Sequence, residues 1–202
     1  MKHRARLAAF VEHPFFLAVE DGSLPAPARD RYFVSERHFV GAARGVFAYI
    51  LAKATDLAPA RHLVGILDGL VNAQEVLFDR IFDALGLSTP DLPAPAAQAL
   101  GDGMTAIARD GSYAEGIAAM SVAEWTYAEV GRRDCWRACS DPTLRDWFAL
   151  HAEPAFLSGA AWLSNELDRA WRPEDDTRID AAFARAIELE IAFHDEPMKG
   201  VS

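Results

Sequence analysis

Three glutamates stand on helix faces that otherwise call for hydrocarbon. At helical spacing Tyr113, Ile117, Met120, Glu124, Tyr127 and Gly131 form one stripe with Glu124 in its middle. Tyr32, Glu36, Phe39, Ala43 and Val46 form a second, and Phe183, Ile187, Glu190 and His194 a third. An ionised carboxylate in an apolar interior is costly unless it is hydrogen-bonded, paired or protonated. Three inward acids on three helices therefore predict a shared polar pocket. There, burial and mutual proximity would raise at least one pKa into the range of a general acid or base. Three flank acids paired separately with Arg37, Arg44 or Arg185 would give the same pattern, and that reading stays open. His194, one turn after Glu190, is read either as orienting that acid or as a surface histidine near a helix end. His151, one turn after Trp147, is read as a pocket residue or a structural one.

The elements that position these residues read as helices. No alternating Val/Ile/Thr run and no Asn-Gly or Asp-Gly hairpin appears, whereas helical periodicity is nearly continuous and is punctuated by Pro and Gly. A first helix spans about Lys2 to Glu12, and a long second one follows the turn EDGSLPAPARD to about Ala54. Pro59 suits the first turn of a third helix, which runs to Leu85. GLSTPDLPAP, residues 86–95, is the clearest loop. A helix from about Ala96 to Arg109 stops at Asp110-Gly111, and Ser112 caps the next, which is expected to reach Cys139. A sixth starts at Ser140-Asp141-Pro142, breaks at Pro154 and resumes through Trp171. The last is capped by Asp176 or Thr177 and ends before Pro197. About seven helices with short loops imply a single all-α bundle over residues 1–202.

Composition narrows the partners. The 202 residues, of which 51% are hydrophobic and 25% charged, suit an ordinary globular domain. A formal charge of −10 leaves no Lys/Arg stripe to neutralise phosphates, so neither nucleic acid nor an anionic membrane is expected as a partner. No apolar run spans a bilayer. Glu12, His13 and Pro14 interrupt any signal-peptide core, so a cytoplasmic protein is expected. Cys135 and Cys139 are read as free structural thiols on one helix face. Two Cys with no nearby His make no zinc site, and neither metal nor cofactor is expected.

Longer motifs carry a resemblance. HPFFLAVEDGSLP (13–25), RYFVSERHFVGAARGVFAYILAKATDL (31–57), EWTYAEVG (124–131) and ELEIAFHDEPM (188–198) together resemble the TenA/thiaminase II family across nearly the whole chain. The resemblance implies a haem-oxygenase-like fold. It places Glu36 where the family holds an aminopyrimidine through an Asp, Phe39 at a stacking Tyr, and Glu190 at the acid of the last helix. Ala123 stands where the main branch has its nucleophilic Cys, and pocket tyrosines are replaced near Thr105 and His151. Glu124, three residues before Tyr127, fits a subgroup that carries Glu in place of that Cys.

By this resemblance the chain hydrolyses aminopyrimidines or their N-formyl derivatives in thiamine salvage. Glu36 would hydrogen-bond the ring nitrogen and exocyclic amine, while Phe39 and Tyr127 would hold the ring faces, although both would serve equally as core packing. Hydrolysing a C–N bond needs a base to activate water and an acid to protonate the departing amine, and Glu124 and Glu190 are the candidates. With no Cys nucleophile, direct attack by water remains. Two alternatives stand beside this reading: a non-catalytic small-molecule binder or regulator, and a metal-dependent oxidase on the same fold. Relatives of this architecture carry two irons, but the sequence has six His and no Glu-x-x-His. The resemblance also implies a homo-oligomer, a dimer or tetramer. Light scattering should therefore find a species larger than the 22.1 kDa chain, and a monomer alone would refute association.

Overall fold

Small residues decide how closely these helices approach one another. The computed structural model describes residues 3–90 and 92–200. Its helices are α1 (Arg4–Val11), α2 (Pro14–Glu20), α3 (Ala26–Lys53), α4 (Leu57–Asp68), α5 (Glu75–Leu85), α6 (Pro95–Asp110), α7 (Tyr113–Arg132), α8 (Pro142–His151), α9 (Pro154–Ala170) and α10 (Asp176–Met198). No strand occurs among the described residues. The result is a single all-α domain in which α3 packs along α6, and α7 packs on both α9 and α10.

Helix α7 is the axis of the bundle, with buried side chains on almost every face from Ala114 to Gly131. Ser112 starts it with a capping box: its hydroxyl accepts from the Glu115 N–H, and the Glu115 carboxylate accepts from the Ser112 N–H. Ala, Gly and Ser let neighbours close in. A Cβ at Gly116 would stand 2.8 Å from Ile50 of α3, and one at Gly131 would stand 2.8 Å from the carbonyl oxygen of His151. Around this axis lie Phe10, Phe15, Phe16, Phe33, Phe47, Phe78, Trp147, Phe148 and Phe193, all fully buried. Lys53, at the end of α3, donates to the carbonyls of Ala108, Arg109 and Gly111 and so caps the C-terminus of α6.

Several boundaries differ from those read in the sequence. Residues 14–20, which lie outside the expected helices, form α2: Pro14 occupies the first turn and the His13 ring accepts from the Phe15 N–H. The expected third helix does run to Leu85, but a π-helical turn over Gly69–Gln74 joins α4 to α5 inside it. Helix α7 does not reach Cys139. It ends at Arg132, Asp134 takes a left-handed φ of 59°, and Cys135–Ala138 form a 3-10 turn, so Cys135 and Cys139 do not share an α-helical face. Cys139 is a buried free thiol; the Cys135 side chain and the expected start at Lys2 lie outside the described residues. The last helix has Asp175 rather than Asp176 or Thr177 at its N-cap, and it runs through Pro197 to Met198. Arg31 donates to the Pro197 carbonyl and satisfies this end. Among the described residues no helix is long and apolar enough to cross a membrane.

The contact between Gly131 and His151 is backbone against backbone, so a methyl group there cannot be relieved by a rotamer change. Gly131→Ala should push α8 outward and destabilise the fold by about 1–3 kcal/mol, read as a lower Tm in thermal unfolding. An unchanged Tm would show that α7 and α8 are less tightly joined than the structure indicates.

Candidate active site

Helices α3, α7, α8 and α10 bring their polar side chains to one place in the core. Tyr32 and Glu36 lie one turn apart on α3, Tyr127 comes from α7, Trp147 from α8, and Glu190 and His194 from α10. The Trp147 indole donates to the Tyr32 hydroxyl at 2.8 Å, and Tyr32 and Tyr127 join their hydroxyls at 2.7 Å. The Tyr127 hydroxyl lies 3.1 Å from Glu36 Oε2 and 3.2 Å from His194 Nε2. His194 Nδ1 is 2.8 Å from the Glu190 carbonyl, which can only accept, so Nδ1 carries the ring proton and Nε2 is the acceptor. The same logic fixes His151, whose Nδ1 donates to the Trp147 carbonyl at 2.7 Å and leaves Nε2 free to accept.

Proton counting gives this network two states. With Glu36 ionised, Tyr127 donates to the carboxylate. With Glu36 neutral, its O–H donates to the Tyr127 oxygen and the Tyr127 hydrogen passes to His194 Nε2. Burial favours the neutral state, raising the Glu36 pKa to about 8 against hydrogen bonds from Tyr127 and Tyr32 that pull it down. Burial raises Glu124 to about 7 and pushes Glu190 well above the carboxylate range, with the charges of Glu36 and Glu124 adding to the effect on Glu190. Burial also holds both histidines neutral, lowering His151 to about 4 and His194 to about 3.

No Arg or Lys neutralises these acids among the described residues. Arg37 pairs with Asp79 and Glu75, Arg44 with Glu75 and Arg185 with Glu188, so the flank-acid reading fails for all three cations. His194 is fully buried rather than a surface residue. Glu190 Oε1 is buried with no hydrogen-bond partner, a condition that native structures rarely tolerate away from sites of function.

A cavity of about 30 Å³ opens beside this network, room for about one water molecule. Glu36, Phe39, Glu124, Tyr127 and His151 all line it, together with Ala123 and Trp147. Neither Glu190 nor Thr105 lines this cavity or the larger one beside it. A second cavity of about 500 Å³ lies between α4 and α9 and shares Leu70, Gln74, Glu124 and Phe156 with the first. Two of these shared residues, Leu70 and Gln74, sit on the π turn, a device that recurs at functional sites because its extra residue rotates the following side chains. Gln74 Oε1 is buried and unpartnered.

Sequence reasoning assigned no role to Tyr32 or Trp147, although each stands one turn before a residue it did single out. Gln74 carried no signal at all, since α-helical spacing counted along α4 fails across a π turn. Among the described residues no group of three or more His, Cys, Asp and Glu is placed to hold a metal ion.

Comparison with known proteins places this helical bundle in a family. The chain matches the TENA/THI-4/PQQC family over residues 2–199 and belongs to it. It is 28% identical over 194 residues to a protein of Halalkalibacterium halodurans named aminopyrimidine aminohydrolase, a match covering 91% of this chain and 86% of that one. A Bacillus subtilis protein of the same name is 22% identical over 160 residues, covering 77% of this chain and 65% of the relative. In structure the chain is similar to a TenA homologue from P. horikoshii OT3, with a TM-score of 0.87, 22% identity, and 97% and 94% of the two chains covered. It is similar also to a domain from Shewanella denitrificans described as having a heme oxygenase-like fold, with a TM-score of 0.76, 15% identity, and 98% and 91% covered. The fold is therefore haem-oxygenase-like.

The buried acids and histidines pull stability in opposite directions with pH. The histidines, lowered from 6.5, add stability as pH rises towards 6.5 and add nothing further above it. The acids, raised from 4.5, keep protons in the native state that the unfolded chain has already lost, so stability falls as pH rises through about 7 and 8. Above pH 6.5 the two site histidines add no slope, and the denaturation midpoint should fall from there towards pH 8. Glu36→Gln should flatten this slope, whereas an identical slope in the variant would mean that Glu36 is not held neutral.

Proposed function

We propose that the chain hydrolyses a C–N bond of an aminopyrimidine or a formylaminopyrimidine, a step in the salvage of thiamine breakdown products, without a covalent intermediate on Cys. The observation that carries this reading is one cavity in which two acids with raised pKa, Glu36 and Glu124, face an aromatic wall of Phe39 and Tyr127, with Ala123 in place of a nucleophile. The family membership and the names of the two relatives support it.

A neutral carboxylic acid matches the edge of an aminopyrimidine: its O–H donates to the ring nitrogen and its carbonyl accepts from the exocyclic amine. Glu36, held neutral by burial, is the anchor for that edge, and Tyr127 and His194 take up whichever proton arrangement the ligand imposes. Phe39 and Tyr127 hold the ring faces. Glu124, with a pKa near neutrality, takes a proton from the attacking water and is available again at that pH. His151 Nε2 is a second acceptor for that water. Glu190, held neutral by burial, is the acid of the pair; it lines neither cavity, so it reaches the ligand only when the entering ring displaces neighbouring side chains. The cavity holds about one water as it stands, so the ring displaces its outer wall on binding.

Ammonia and formate release from a panel of aminomethyl- and formylaminomethyl-pyrimidines tests this directly. Glu124→Gln and Glu190→Gln should each lower kcat by about 10²–10⁴-fold with folding intact. Glu36→Gln should chiefly raise KM, since it removes ring binding rather than proton transfer. Thiamine should be a poor substrate. A wild type that turns over none of the panel, or a fully active Glu124→Gln, would replace this reading with that of a non-catalytic binder.

A further inference from the structure

The cavity that could hold the pyrimidine is the smaller of the two, and nothing in the reading above uses the larger. At about 500 Å³ it far exceeds what a formyl group would fill. Gly65, Ile66 and Gly69 on one side and Ala155, Gly159 and Leu163 on the other give it an apolar or small stretch of wall, with Arg61, His62, Glu153 and Ser158 also in the lining. A Cβ built at Gly65, Gly69 or Gly159 meets nothing within 4 Å, so these three positions leave the space beside them open.

The junction of the two cavities is built of polar groups. Glu124 lines both, and so does Gln74, whose buried Oε1 has no hydrogen-bond partner. A buried acceptor without a donor is destabilising until a ligand supplies one. The N–H of a secondary amide, lying between a ring in the inner cavity and a chain in the outer one, would supply it. The acyl carbon of the same amide would then lie beside Glu124.

We propose that the outer cavity is an acyl subsite and that the chain acts on aminomethylpyrimidines whose exocyclic nitrogen carries an apolar acyl chain longer than formyl. The inference rests on the hydrolase reading and specifies its substrate class. In the step, water attacks the acyl carbon as Glu124 takes one of its protons. The new bond is carbon to water oxygen, and the bond that breaks is acyl carbon to nitrogen. The nitrogen departs as the amine with a proton returned from the acid, and the products are one carboxylic acid and one aminomethylpyrimidine. No other reactant is needed. Gln74 is a positioning residue that orients the amide through its N–H.

The test compares the free aminomethylpyrimidine with its N-formyl, N-butanoyl and N-hexanoyl derivatives on the wild type and on Gly65→Leu and Gly159→Leu. Both substitutions add a side chain into open space and raise helix propensity, so the variants should fold. In the wild type kcat/KM should rise by about tenfold or more from formyl to hexanoyl, as a few methylenes leave water. In either leucine variant the hexanoyl-to-formyl ratio should fall back by a similar factor. Gln74→Leu should raise KM for the acylated compounds, and Gln74→Asn should recover part of the loss. No gain on lengthening the chain, or a ratio unchanged by both leucines, would overturn the inference while leaving hydrolysis of the short compounds in place. If no compound is turned over, the hydrolase reading falls, and calorimetric titration still decides the subsite. Tighter binding of the hexanoyl compound that Gly159→Leu abolishes supports an acyl site, and equal affinities reject it.

Discussion

Everything in the core of this protein is arranged around carboxyl groups that have no cation. Burying an acid beside an Arg would have fixed its charge and removed it from proton chemistry. Here the cations are spent at the surface, on Glu75, Asp79 and Glu188, and the interior acids are stabilised by neutrality instead. Glu36 is held by the Tyr127 hydroxyl, which is in turn held by Tyr32, which accepts from Trp147. Each group in that chain depends on the next, and each comes from a different helix or a different turn. The close packing at Gly116 and Gly131 serves the same end, since it sets α3, α7 and α8 at the separation these hydrogen bonds require.

The pocket's shape follows from a second constraint, the π turn between α4 and α5. A straight α-helix there would carry the register of α4 through to α5 and turn Gln74 away from its present place. The extra residue in the turn sets Leu70 and Gln74 at the wall between the inner and outer cavities, with Phe156 opposite on α9. A wall made by one π-helical turn and one aromatic ring is the part of the pocket best suited to give way when a ring enters.

How much of this was legible in the sequence depended on whether the signal was local. Helices α3, α6 and α10 and the start of α7 were readable because amphipathic spacing, prolines and a capping Ser112 are local cues. The acids were readable because a carboxylate on an apolar stripe conflicts with its neighbours at α-helical spacing. Glu36, Phe39, Glu124, Tyr127 and His151 share one cavity lining, whereas Glu190 is not part of it. Helix α2 was missed because Pro14 reads as a breaker until His13 is seen to cap it. The end of α7 was missed because Arg133 to Cys139 keeps helical composition through a left-handed Asp134. Gln74 was invisible for a physical reason, since a π turn erases the periodicity by which inward positions are counted.

The central claim is that burial holds Glu36 neutral and makes Glu124 titrate near neutrality at the pH where the protein works. The most direct measurement is the pH titration of side-chain carboxyl carbons by NMR on protein labelled with 13C-glutamate, in the wild type and in Glu36→Gln and Glu124→Gln. Besides a Glu190 signal displaced well upward, the account predicts two carboxyl signals with midpoints near 8 and 7, the first absent from Glu36→Gln and the second absent from Glu124→Gln. If every glutamate titrates around the ordinary value of 4.5, the interior acids are charged at neutral pH and the account is wrong.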